Sequence, residues 1–106
     1  MNVVKQFPAD LDNRTVYRMM KSPEVKKMIS AADSLLDVRS WVMFTDGDYS
    51  VLTIETQDGE MFGTISETFM RTFEDIVKFF GDDVGSLKVV SGTSKAGRTY
   101  ITCTPV

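Results

Sequence analysis

Residues 38–66 read VRSWVMFTDGDYSVLTIETQDGEMFGTIS, and this stretch decides the fold. Three runs within it, Val38–Thr45, Tyr49–Thr56 and Met61–Ile65, alternate apolar and polar side chains with a period of two. That is the period at which successive strand residues face opposite sides of a sheet. Asp46-Gly47-Asp48 and Gln57-Asp58-Gly59-Glu60 separate the runs with the glycine and acid chemistry of tight hairpin turns. Ser66 then supplies a cap for a helix whose apolar residues, Phe69, Met70, Phe73, Ile76, Val77 and Phe80, recur at helical spacing. Gly81 stops that helix.

Downstream, Leu87–Thr93 and Arg98–Thr104 return to period two around the loop Ser94-Lys95-Ala96-Gly97, and Pro105 ends the second run. Three strands, a helix and two strands is the order of an OB-type barrel. The expected fold is α+β: an OB-like five-stranded antiparallel barrel in one domain over residues 1–106. Upstream, residues 1–11 read as irregular around Pro8. Asp12 or Asn13 caps a helix to Met20, and Ser22-Pro23-Glu24 starts a second one to about Ala32. Val16, Met19, Met20, Val25, Met28 and Ile29 would be its buried side, and Arg14, Arg18, Lys21, Lys26 and Lys27 its exposed side. This added segment either packs across one end of the barrel, replaces an edge or contacts a partner.

The composition removes several functions. There is no histidine, which takes away the commonest general base and metal ligand. A lone cysteine, Cys103, permits no internal disulfide and points to a reducing compartment. Residues 1–7 are too short and polar for a signal peptide, and the longest apolar run is far below membrane-spanning length, so a cytoplasmic, non-membrane protein is expected. The net charge of −3 divides into +3 over residues 1–30, −9 over 31–83 and +3 over 84–106. An acidic total speaks against charge-driven duplex binding, while basic ends leave room for a local positive groove.

Sorting the strands by face gives an apolar set, Val38, Val42, Phe44, Leu52, Ile54, Met61, Ile65, Leu87, Val89, Ile101 and Cys103, suited to a barrel interior. The opposite set contains Arg39, Trp41, Tyr49, Phe62, Lys88, Arg98 and Tyr100, with Lys95 in the neighbouring loop. Aromatics between cations are what single-stranded nucleic acid requires: ring faces for the bases and positive charge for the phosphates. A bulge in a strand would exchange the two faces. If Trp41 is a platform, oligo(dT) quenches its fluorescence.

No pattern carries enzyme chemistry. Residues 92–97 have neither the spacing nor the following helix of a phosphate-binding loop. Ser91, Thr93 and Ser94 lack a histidine to activate them. Asp46/Asp48 and Asp82/Asp83 flank glycines, where turns favour Asp. No metal or cofactor is expected.

Two segments, Asp58-Gly59-Glu60-Met61-Phe62-Gly63-Thr64-Ile65-Ser66 and Val89-Val90-Ser91-Gly92-Thr93-Ser94-Lys95-Ala96-Gly97-Arg98-Thr99-Tyr100, resemble the phi-29-type phage single-stranded-DNA-binding proteins. In that family an Asp-Gly turn leads through an aromatic to Ala-Ile-Ser before a helix. A Val-Val-x-Gly-Thr-Ser stretch, a Lys-Gly loop and an aromatic strand follow. The resemblance implies a non-enzymatic protein that coats single strands during phage DNA replication in the host cytoplasm, beside replication proteins, with Phe62, Lys95 and Tyr100 at family positions. Phe62 stands where the family has tyrosine, and residues 12–32 have no counterpart. The alternative is a phage protein-interaction module that inhibits or recruits a host protein.

Overall fold

The computed structural model describes all 106 residues. In chain order they form β1 (Asn2–Phe7), α1 (Asn13–Lys21), β2 (Lys26–Lys27), a 3-10 turn (Met28–Ala31), β3 (Leu35–Asp46), β4 (Tyr49–Thr56), β5 (Met61–Thr64), α2 (Glu67–Phe80), β6 (Ser86–Thr93) and β7 (Thr99–Pro105). The five-stranded barrel expected from the strand order is overturned. The chain makes one mixed, curled seven-stranded sheet in the order β2-β5-β4-β3-β6-β7, with β1 also paired to β3. The curl stays open as a half-barrel.

The reason lies at the sheet edges. β5 finds its second partner in β2, where Lys26 and Lys27 run parallel to Phe62 and Gly63. α2 lies against β7, and the Thr102 hydroxyl bonds to the Thr72 hydroxyl at 3.0 Å. β5 and β7 therefore never pair. A groove of about 510 Å³ remains where the curl fails to close, lined by Val25, Met28, Ile29, Ile65 and Ile101 among others.

Two expectations for the N-terminus also fail. Residues 2–7, read as irregular, are a strand because β3 offers them the edge Trp41–Thr45. The second helix expected from Pro23 to Ala32 is a two-residue strand and a single 3-10 turn. Ser22 ends α1 instead of starting a helix, its hydroxyl accepting the Glu24 N–H at 3.1 Å. α1 itself starts as read: Asp12 accepts from the Thr15 N–H at 3.0 Å. The hydrogen bonds from Thr15 hold the Asp12 carboxyl below its usual value. α2 is capped by Ser66, which accepts from the Phe69 N–H at 3.2 Å, and ends at Gly81, whose φ of 91° suits glycine.

β3 is the spine of the molecule. One edge pairs with β4; the other meets β6 at Leu35–Asp37 and β1 at Trp41–Thr45. A bulge between Val38 and Ser40 sets Arg39 outside the register and inverts the facing of every residue beyond it. Leu36, Val38 and Trp41 consequently share the inner side. There they pack with Leu52, Ile54, Phe62, Leu87, Val89, Ile101 and Cys103 around Phe69, Met70, Phe73 and Ile76 of α2. Val42 and Phe44 fall on the outer side and pack with Met61 under Val16 and Met19 of α1. The two sets assigned by alternation are thus mixed. Ile65 and Phe80, both expected in the core, are exposed.

Candidate nucleic-acid interface

The eight residues proposed for nucleic-acid contact do not form one surface. Trp41 has no exposed area. Its ring meets Phe73 edge-on at 5.2 Å, and its Nε1 donates to the Asp82 carbonyl at 2.8 Å. Lys5 reaches to 5.9 Å from the ring while pairing with Asp82 at 2.9 Å. Trp41 ties β3 to the connection after α2 and is not a stacking platform. The bulge at Arg39 turned it inward.

Phe62 is also a core residue, at 6% exposure. Its register opposite Ile54, and not Thr53, sends it toward α2. Lys26 sits 5.7 Å from its ring and pairs with Glu60 at 2.9 Å. Tyr49 is exposed, but it stands opposite Asp46 at the end of the acidic β3–β4 hairpin, where phosphate would be repelled. Arg39 is exposed at the bulge, outside the β3–β4 register.

The β6–β7 hairpin does gather the remaining four. Residues paired directly across an antiparallel ladder share a face. Lys88 pairs with Leu35 and Thr104, Val90 with Thr102, and Gly92 with Tyr100. These are the outer residues, since Leu87, Val89, Ile101 and Cys103 point into the α2-side core. Lys95 and Arg98 belong to the tip, which is closed by Ser94: its N–H donates to the Arg98 carbonyl at 2.8 Å, and its hydroxyl accepts the Arg98 N–H at 3.2 Å.

The Tyr100 ring lies across Gly92. A Cβ at Gly92 would come within 2.6 Å of it, so only glycine leaves room for the ring to lie down on the sheet. Tyr100 keeps 42% of its surface exposed in that position. Residues 84–106 contain Lys88, Lys95 and Arg98 and no acid. None of the three takes part in an ion pair. The acids closest in the ladder, Asp33 and Asp37, stand at the base of the hairpin, beside Val89 and Ser86. The positive end is therefore the tip.

The Gly92–Tyr100 pairing was not visible in the linear order, because it depends on the hairpin register. Alternation had already put Lys88 and Tyr100 on one face. Elsewhere, no group of three or more His, Cys, Asp or Glu side chains is placed to hold a metal ion. Burial pushes the Cys103 thiol up to about 12, so it is protonated at neutral pH. No helix is long and apolar enough to cross a membrane. No family model, curated protein or solved structure matches the chain.

Proposed function

We propose that this protein binds single-stranded nucleic acid, DNA in the first instance, through the outer face and tip of the β6–β7 hairpin. The observation that carries this reading is the Tyr100 ring held flat and exposed over Gly92, on a hairpin with three unpaired cations and no acid. Tyr100 stacks on a base, a contact worth about 1–3 kcal/mol that any base can make. Lys88, Lys95 and Arg98 take phosphates. One ring and three cations give weak binding without sequence preference, with a dissociation constant of roughly 10⁻⁴ to 10⁻⁶ M. The resemblance of residues 58–66 and 89–100 to phi-29-type phage proteins supports a role in coating strands during replication, in the host cytoplasm.

The test is fluorescence anisotropy of labelled oligo(dT), duplex DNA and RNA at two salt concentrations. Binding to the single strand that weakens with salt, with duplex bound less well, is the expected result. Trp41 fluorescence should change little, because its ring is sealed in the core. Absence of oligo(dT) binding at low salt refutes the proposal.

A second reading, a protein-interaction module, is favoured by one observation. Phe79 and Phe80, in edge contact at 4.9 Å, leave the end of α2 at 80% and 55% exposure. Exposed aromatic pairs serve as anchors at protein interfaces. A pull-down that finds a stoichiometric protein partner, lost in Phe79→Ser and without any DNA binding, would select this reading.

A further inference from the structure

The segment with no counterpart in the resemblance, α1, carries an unexplained outer face. Val16 and Met19 seat it on the sheet. Arg14, Tyr17, Arg18 and Lys21 lie on its other side, with 14/17 and 18/21 three apart and 14/18 and 17/21 four apart. All four are exposed, Tyr17 at 65%. No acid lies within the helix, and the ion pairs of the molecule, Lys5–Asp82 and Lys26–Glu60, involve none of its cations. The Asp12 carboxylate next to it caps the Thr15 N–H and, near Arg14 and Arg18, offsets part of their charge.

Helix stability accounts for part of this stripe. Arg18 and Lys21 in the last turn complement the partial negative charge of the helix C-terminus. It does not account for Arg14, which sits in the positive first turn and four residues from the like-charged Arg18, where repulsion opposes the helix. Nor does it account for a tyrosine left in water. A ring between cations has the composition of a strand-binding surface. Its position adds a second argument. α1 covers the sheet on the side away from α2, and the Lys88–Tyr100 face is also turned away from the α2-side core.

We infer that the outer face of α1 is a second contact for the same single strand, with Arg14, Arg18 and Lys21 on phosphates and Tyr17 against a base. The helix that closes off the expected sheet face would thus replace it with a surface of similar chemistry. This inference rests on the nucleic-acid reading above.

The experiment compares the wild-type chain with the triple variant Arg14→Gln/Arg18→Gln/Lys21→Gln, and with Tyr100→Ala, by oligo(dT) anisotropy across a salt series. Circular dichroism confirms that each variant is folded. Each phosphate contact contributes about 0.7 to the slope of log affinity against log salt for single strands. With six contacts the wild-type slope is about −4, and the triple variant brings it to about −2. Tyr100→Ala lowers affinity and leaves the slope unchanged. A triple variant with the wild-type slope overturns the α1 contact alone, if wild type binds and Tyr100→Ala weakens it. A wild-type chain that binds no oligo(dT) overturns both readings. Loss of slope in the triple variant with Tyr100→Ala unaffected supports the α1 contact and removes the Tyr100 stack.

Discussion

The β3–β4–β5 half of the sheet is covered on both sides, by α2 within the curl and by α1 outside it, whereas the β6–β7 hairpin is packed on its inner side and α2 reaches its outer face at Thr102. Alternation placed Trp41 and Phe62 from the first region and Tyr100 from the second on one face. The structure buries the first two and leaves Tyr100 at 42% exposure. An aromatic on a strand becomes core or platform according to what lies over it. Phe73 meets the Trp41 ring, whereas Tyr100 lies over Gly92 and stays part-exposed.

Replacing Trp41 is the most severe way to test the contrast. Trp41→Ala should cost about 3–5 kcal/mol, a large part of the stability of a domain this size. It removes a fully buried ring and leaves the Asp82 carbonyl without its donor. Urea unfolding measures the loss, and a variant as stable as wild type would place Trp41 outside the core. Met19→Ala examines the outer cover in the same way. Met19 is 1% exposed, with its sulfur 3.6 Å from the Ser40 hydroxyl, so a loss of about 2–5 kcal/mol is expected. A negligible loss would mean that α1 is loosely attached.

Tyr100→Ala should behave in the opposite sense, lowering oligo(dT) affinity roughly 5- to 150-fold while the urea midpoint hardly moves. A large stability loss with unchanged affinity would make Tyr100 a structural residue. Gly92→Ala sharpens this further. Its methyl group displaces the far end of the Tyr100 ring without touching backbone, so stability should shift by less than about 1 kcal/mol. Affinity should fall severalfold; unchanged affinity would show that the flat posture of the ring is irrelevant.

The smallest effect concerns Cys103, on the inner side of the hairpin. Its thiol is pushed up to about 12 by burial, above the usual value near 9, so the folded state holds this proton more tightly than the unfolded one. The corresponding stability is complete below about pH 9 and is lost as pH rises toward about 12. Urea midpoints at pH 8 and pH 10.5 should show a fall that Cys103→Ala lacks. A thiol reagent should label the native protein only after denaturant is added, and rapid native labelling would contradict the burial.

Several local signals match the structure, although the cap and proline at Ser22-Pro23 do not start a helix. The turns at Asp46–Asp48 and Gln57–Glu60, the Asp12 and Ser66 caps and the Gly81 stop each depend on a few adjacent residues, and the elements they bound lie within a few residues of where they were expected. The expected exposure of Arg14, Arg18 and Lys21 rests on helical spacing alone. Tyr17 lies at the same spacing.

The linear order of residues determined the positions of β4, β5, α2, β6 and β7, because turn chemistry, capping and periodicity are short-range. Only the tertiary structure decided that β1 forms on the edge of β3, that Lys26 and Lys27 pair with β5, and that the curl stays open. Strand pairing joins backbone groups distant in sequence, and no local pattern names the partner. The same holds for the extra residue at Arg39. One unpaired position, set by the register of β3 against β4, reversed the facing of Trp41 and took it out of a candidate interface of which only the hairpin residues stay together.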